Sequence, residues 1–575
     1  MLKAAPRRSL ARPSAAAPQE AEPAARWRPQ FLTTLGCGAA GALLLWAAFP
    51  PLNWPLLAWL APVPWLWLIR LPALPGWRPY FMLWLAGSFH WLLVLQGIRL
   101  AHPALYGGWI ALSLYLAVYL PVFIGLTRVA VHRLKAPLVA SAPVVWVGLE
   151  LLRGHLVTGF SNGLLAHTQA EIPLLIQVAD LAGGYTLSFV LMFVAACLAM
   201  LIPVAGACGP RSGPQPARTW SVVWPPLLIA AVMLATLLYG NWRLAQKTAA
   251  GPTAKVALLQ GALDTVFGED RSAETFEHYR QLTDQAVAGR ADLDLVVWPE
   301  SSFPAPEVLI EEPLAPLPNM SVSQLRSNAD VAQRQLRDLL AGEALRANAN
   351  TNSGAAGTRL LVCGTSFVYG PAQPRMYNAA LVIDPRGDMA CRYYKTHPVM
   401  FGEYIPFGEA FPWLYKIQPL GMGLSRGDGP RVFEAGGLRM SPNICFESTV
   451  PHLVRGQLRE LSRRGTPADV IVNVSNDGWF WGSAILDLHF RSNIFRTVEN
   501  RRPLLVAANT GISAWIDSSG VVRQRGQKRT PQVLYAEIQA DGRASPYSLI
   551  GDWPAWICAA ACAGLALAGF RRRAE

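Results

Sequence analysis

Seven apolar runs, each close to the length that crosses a bilayer, fill the chain before residue 245, and an eighth closes it. They lie near 31–49, 52–69, 79–97, 108–128, 136–152, 181–204 and 222–240, and then at 553–570. About 20 mostly apolar residues span the hydrocarbon core. In lipid the backbone must satisfy its own hydrogen bonds, so such runs are helices packed against one another. Tryptophan gathers near several ends, as in "NWPLLAWLAPVPWLWL", the pattern of an interfacial aromatic belt. The run 52–69 holds several prolines, which blurs its limits.

Charge then sets orientation. Only 15% of the residues are charged, against about 25% in soluble domains. The net charge is +13, from 50 Lys+Arg against 37 Asp+Glu, and its placement matters more than its size. Lys3, Arg7, Arg8, Arg12, Arg26 and Arg28 precede the first run. Arg70 and Arg78, then Arg128, Arg133 and Lys135, then Arg211 and Arg218 occupy the second, fourth and sixth loops, and Arg571, Arg572 and Arg573 follow the last run. The intervening loops are poorer in Lys and Arg. Eight spans with both termini cytoplasmic fit the positive-inside rule. The basic excess therefore calls for no nucleic-acid partner, and the long stretch between spans seven and eight is expected to face the periplasm. The first run is long and no small-residue cleavage site follows it, which argues against a removed signal peptide. The expected division is a cytoplasmic tail over 1–30, a seven-span domain over 31–245, an outer domain over 253–545, an eighth span over 553–570 and a tail over 571–575.

The outer stretch has a different grammar. Short β-branched runs recur: "KVALLQ", "LDLVVWPE", "TRLLVCGTSF", "AALVID", "DVIVNVSND", "RPLLVAANTG" and "SAWIDSSG". Helical patterns lie between several of them, near 273–289, 321–346 and 485–500. Strands alternating with helices predict an α/β domain. The polar, low-complexity segment "RANANTNSGAAGT", 346–358, reads as a mobile loop.

Three β-like runs in this domain end in a reactive side chain: Glu300 in "LVVWPESSFP", Lys395 in "RYYKTHPVMFGEYIPFGE" and Cys445 in "PNICFES". Functional groups of α/β domains gather at the carboxyl ends of strands. A thiol of ordinary pKa, about 8.5, is only partly ionised at neutral pH and needs a base or a nearby cation to attack. Glu300 supplies the base. Lys395 and the Phe446 N–H supply donors for a tetrahedral oxyanion. Singly, each residue has a plainer reading: a small core cysteine, a strand-end carboxylate, a solvated lysine. Eight cysteines without a CxxC pair or Cys/His ligand spacing argue against zinc and against a disulfide framework.

Taken together, "VVWPE", "YYKTHPVMFGEYIP" and "NICFES" resemble the three signature segments of the nitrilase, or carbon–nitrogen hydrolase, superfamily. The seven runs before the domain and one after it make the chain similar to the apolipoprotein N-acyltransferases, with "ELLRGHLVTGF", "QVADLAGGYTLSFVL" and "NDGWFWGS" in support. The resemblance implies an αββα sandwich, Glu300 as base, Lys395 as oxyanion-stabilising cation and Cys445 as nucleophile. It implies Glu403 as a second carboxylate that orients the site, with Glu409 in the similar "FGEAFP" as its competitor, and Glu447 as a supporting residue. It further implies a phospholipid acyl donor, expected to be phosphatidylethanolamine, and the α-amine of a diacylglyceryl-cysteine on an apolipoprotein as acceptor, with no metal or soluble cofactor. Trp479, Phe480 and Trp481 are expected at an apolar pocket mouth. Glu150 and Arg153 close the fifth run, where they meet a lipid headgroup or pair with each other. His489 lines the pocket or is a structural histidine. The sequence departs from well-known members at Phe446, where tyrosine is expected, and at Ser161-Asn162, where Pro-Trp is common. A membrane-tethered amide or nitrile hydrolase is the alternative enzyme, and a transporter with an inert outer domain the alternative of another class.

Overall fold

The computed structural model describes residues 23–204, 218–248, 251–266, 270–317, 319–350, 357–408, 410, 411, 413, 415 and 423–571. Lys3 to Arg12, Arg211, Glu409, the stretch 351–356 of the polar segment and the tail beyond Arg571 lie outside them.

Among the described residues, five helical stretches reach 18 residues with the apolarity to cross a membrane: Phe31–Ala48, Leu105–Arg133, Gly184–Leu201, Val223–Ala245 and Trp553–Phe570. The other three expected runs form shorter helices. Arg78–Val94 has 17 residues and Leu138–Arg153 has 16. The run 52–69 is split into Leu57–Leu60 and Val63–Arg70, with Pro62 at the break. Proline lacks the N–H that would continue the first helix, yet its fixed φ suits the start of the second. The first helix begins at Pro23, well before the expected limit of the tail.

Among the described residues, the α/β region contains thirteen strands in two sheets. The strands are β1 (Thr253–Gln260), β2 (Leu295–Val297), β3 (Glu307–Ile310), β4 (Arg359–Tyr369), β5 (Arg375–Ile383), β6 (Met389–Tyr394), β7 (Phe433–Ala435), β8 (Leu438–Ile444), β9 (Val470–Ser475), β10 (Leu504–Ala508), β11 (Ala514–Ile516), β12 (Val522–Arg525) and β13 (Gln532–Gln539). One sheet runs β13-β1-β2-β4-β5-β6 with β3 paired beside β4, and the other runs β12-β11-β10-β9-β8-β7.

Side chains alternate across each strand, which sorts the apolar residues into layers. Val256 and Leu258 of β1, Leu361 of β4 and Val382 of β5 meet Met440, Ile444, Val472 and Leu505 of the second sheet. On its other face the first sheet buries Leu259, Val296 and Val362 against Tyr279, Leu336 and Leu340 of the helices Ser272–Gly289 and Val322–Ala347. The second sheet carries the helices Pro451–Arg463 and Ala484–Asn500 on its outer side. The layers are helix, sheet, sheet and helix, the expected αββα sandwich.

That outer helical layer rests on the helical bundle. Ile471, Leu504, Ile494 and Phe495 share one apolar cluster with Leu164, Ile176 and Tyr185. A buried charge group locks the contact. Asp180 accepts from Arg501 at 2.5 Å, from Arg243 at 2.6 Å and from the Tyr239 hydroxyl at 2.6 Å. Charges buried without such partners would be strongly destabilising.

Candidate active site

Glu300, Lys395 and Cys445 each lie just past the carboxyl end of a strand: β2, β6 and β8. The sandwich brings these ends to one edge. The Glu300 carboxylate is held on both oxygens. Oε1 accepts from Asn378 Nδ2 at 2.6 Å and from Lys395 Nζ at 3.3 Å, and Oε2 accepts from the Asn476 N–H at 2.8 Å. Lys395 is 1% exposed and donates to Glu403 Oε1 at 2.6 Å as well. Glu403 is fixed in turn by the Val399 N–H, 2.6 Å from its Oε2. Glu403 thus stands beside the amine, bonded to Nζ and held by the Val399 N–H.

Burial alone would lower the pKa of the Lys395 amine. The charges of Glu300 and Glu403 outweigh it and hold the amine well above its ordinary value. Lys395 is a fixed cation. Burial pushes the Cys445 thiol well up, and the Glu300 charge adds to this more than Lys395 offsets it. The resting nucleophile is therefore a thiol, and its proton must leave as attack begins, which is work for a base.

Cys445 sits at φ 54°, in the left-handed region that non-glycine residues rarely occupy. Such strain persists only where surroundings over-determine it, and here they do. The Cys445 carbonyl accepts from His489 Nε2 at 3.0 Å and from the Ser448 hydroxyl at 3.1 Å. Glu447, two residues on, is fully buried and accepts five hydrogen bonds. Its Oε2 takes the Ile444 N–H and the Tyr393 hydroxyl, both at 2.8 Å. Its Oε1 takes the Thr396 N–H and hydroxyl at 2.7 Å and the His397 N–H at 3.0 Å. One carboxylate so ties the turn of the nucleophile to the chain just past Lys395. Phe446 stacks on His397, ring centroids 6.1 Å apart.

The other expected residues are placed as follows. Trp479 and Trp481 stand on the turn after β9, beyond Asn476 and Asp477, and Trp481 is 46% exposed with the Arg529 guanidinium 5.9 Å from its ring centre. His489 pins the Cys445 carbonyl, a positioning role. Glu150 and Arg153 are not brought to the triad. They line a separate hollow among the bundle helices with His90, Trp91, Tyr119 and Trp146. Nor do they pair with each other: Glu150 Oε1 accepts from the Leu165 N–H at 2.8 Å, while Arg153 donates to the Gly163 carbonyl at 3.1 Å and lies over Trp91. Sequence reasoning missed Asn378, Tyr393 and the Asn476 amide. Asn378 sits mid-strand in β5, where its spacing carries no signal.

Two family models match the chain: the apolipoprotein N-acyltransferase N-terminal domain over residues 41–197 and carbon-nitrogen hydrolase over residues 255–547. A relative from Rhodopirellula baltica described as an apolipoprotein N-acyltransferase is 36% identical, across 91% of this chain and 95% of that one. Relatives of the same description from Geobacter metallireducens and Rhizobium meliloti are 34% and 31% identical, across 80% and 83% of this chain and 79% and 82% of theirs.

Proposed function

Because this chain belongs to the apolipoprotein N-acyltransferase family, we propose that its acyl transfer runs through Cys445, with Glu300 as general base and Lys395 as the oxyanion-stabilising cation. The chain is an acyltransferase, and the reaction divides into two halves. In the first, Glu300 takes the thiol proton as sulfur attacks the sn-1 ester carbonyl of a phospholipid. Lys395 and the Phe446 N–H receive the oxyanion. The tetrahedral adduct collapses, the lysophospholipid oxygen leaves with the proton from Glu300, and the acyl group stays on sulfur as a thioester. In the second half, the α-amine of a diacylglyceryl-cysteine attacks the thioester, gives its proton to Glu300 and leaves as the amide, and Cys445 recovers its thiol.

The observation that carries this reading is the buried Lys395 amine. It is held between Glu300 at 3.3 Å and Glu403 at 2.6 Å, beside the strained turn of Cys445. A cation fixed in a water-poor site stabilises developing negative charge far more than a solvated one.

The proposed donor is phosphatidylethanolamine. Pulling an acyl chain into water costs about 0.8 kcal/mol per CH₂, which favours a thiol held just above the bilayer. The proposed topology follows from the Lys/Arg asymmetry: eight crossings of the bacterial inner membrane, three of them by the shorter helices, with residues 253–545 periplasmic and both termini cytoplasmic. The proposed division keeps the seven-span domain at 31–245 and the eighth span at 553–570.

Purified protein, phospholipid and a diacylated lipopeptide test the reading. Phosphatidylethanolamine is expected to give triacylated lipopeptide and lysophospholipid in equal amounts. Release of free fatty acid with no lipopeptide product would point to a hydrolase instead.

A further inference from the structure

Three side chains outside the reaction site converge where the bundle meets the α/β region. His155 follows the helix Leu138–Arg153, His452 is the second residue of Pro451–Arg463, and Asp552 immediately precedes Trp553–Arg571. One ligand-capable atom from each lies within 4.8 Å of the other two. The imidazoles stack with centroids 4.2 Å apart and planes 23° from parallel, and Trp556 closes one side edge-on to His155.

The cluster is supported from behind. His155 Nδ1 donates to the Leu151 carbonyl at 2.9 Å. A carbonyl only accepts, so Nδ1 carries a proton and Nε2 is the nitrogen left to ligate. Asp552 Oδ1 accepts from the buried Tyr547 hydroxyl at 2.8 Å. Metal-binding histidines commonly give their other N–H to a carbonyl or carboxylate, and ligating carboxylates are themselves hydrogen-bonded. Arg455, near Asp552, is already committed: it donates to the Tyr547 and Leu549 carbonyls, each at 2.9 Å.

We infer that His155, His452 and Asp552 form a site for one zinc ion. Two imidazoles and one carboxylate match the three-protein-ligand sets that zinc accepts with a fourth position left open. Zinc–nitrogen bonds of about 2.0–2.1 Å draw these atoms closer than they stand here and turn the His452 ring out of its stack, while His155 keeps its bond to the Leu151 carbonyl. The ion fastens the helix that follows the Cys445 turn to two bundle helices, a positioning role remote from the acyl transfer itself.

The test uses full-length protein purified in detergent without a polyhistidine tag, stripped with chelator and dialysed against Zn²⁺. One zinc per chain is expected by mass spectrometry, with a rise in melting temperature on binding. Co²⁺ in its place is expected to give the intense visible bands of tetrahedral nitrogen–oxygen coordination. Both uptake and thermal rise are expected to vanish in His155→Gln and His452→Asn, and Tyr547→Phe is expected to weaken binding about tenfold. Wild-type protein that shows no saturable one-to-one uptake overturns the site, whatever the variants do. So does uptake that persists unchanged in both histidine variants.

Discussion

Two buried glutamates show how differently the two halves of the molecule treat a carboxylate. Glu447, in the α/β region, is 0% exposed and accepts five hydrogen bonds, spread over both oxygens. Glu150, in the bundle, is 4% exposed and accepts one, from Leu165, while its Oε2 has no hydrogen-bond partner among the described residues. Arg153 Nε beside it is likewise unpartnered. A buried polar group left unmade costs about 1–3 kcal/mol. The difference teaches what each residue is for. Glu447 has spent its capacity holding the Cys445 turn against the chain past Lys395. Glu150 and Arg153 keep capacity open toward a hollow lined by Trp65, Leu120 and Leu149.

The largest expected effects lie on the satisfied side. Lys395→Met and Glu300→Gln are each expected to lower turnover by at least about 100-fold in protein that still inserts and elutes as a single species. Turnover near wild type in either variant would mean that the site reads wrongly. Glu447→Gln comes next. All five of its partners are donors, so the new NH₂ faces N–H and O–H groups that need an acceptor. It is expected to lower the melting temperature clearly and to slow acylation of Cys445, since the turn it pins is strained. Glu150→Gln is expected to leave the melting temperature close to wild type, because Oε1 keeps its single bond. If Glu150→Gln destabilises as much as Glu447→Gln, the contrast between the two regions fails.

The smallest effect concerns pH. Glu499 lies between these extremes: Oε1 accepts from the Gly184 N–H at 3.0 Å and from Arg496 at 2.9 Å, and Oε2 has no partner among the described residues. Burial raises its pKa from 4.5 to about 7, against the pull of Arg496. A raised carboxylate binds its proton better when folded, so its contribution is fully present below about 4.5 and is lost as pH rises through about 7. Wild-type melting temperature measured over that range is expected to fall relative to Glu499→Gln. Parallel curves would show that Glu499 does not titrate there.

Much of this organisation was legible in the chain. Strand periodicity located β1, β4, β5, β9 and β10, and three strings located Glu300, Lys395 and Cys445. What stayed hidden depends on contacts distant in sequence. The five-bond role of Glu447 needs Tyr393 and Thr396 across the sheet interface. The His155, His452 and Asp552 cluster joins residues 100 or more positions apart, a juxtaposition that local ligand spacing does not show. Helix length was over-read in the run 52–69, where Pro62 ends one short helix and opens the next. Glu150 and Arg153 were expected either at a headgroup or as a pair, and their backbone partners, the Leu165 N–H and the Gly163 carbonyl, could not be read from the sequence.

The central claim is that the acyl group rests on Cys445 between donor and acceptor, and intact-protein mass spectrometry tests it most directly. Enzyme mixed with phosphatidylethanolamine alone is expected to gain the mass of one acyl chain. Neutral hydroxylamine should remove it, Cys445→Ala should never acquire it, and Cys363→Ala or Cys391→Ala should acquire it normally. A lipopeptide with a free α-amine should discharge it, and an N-acetylated one should not. Active enzyme that never carries the adduct, with kinetics that require both substrates bound together, would contradict the account.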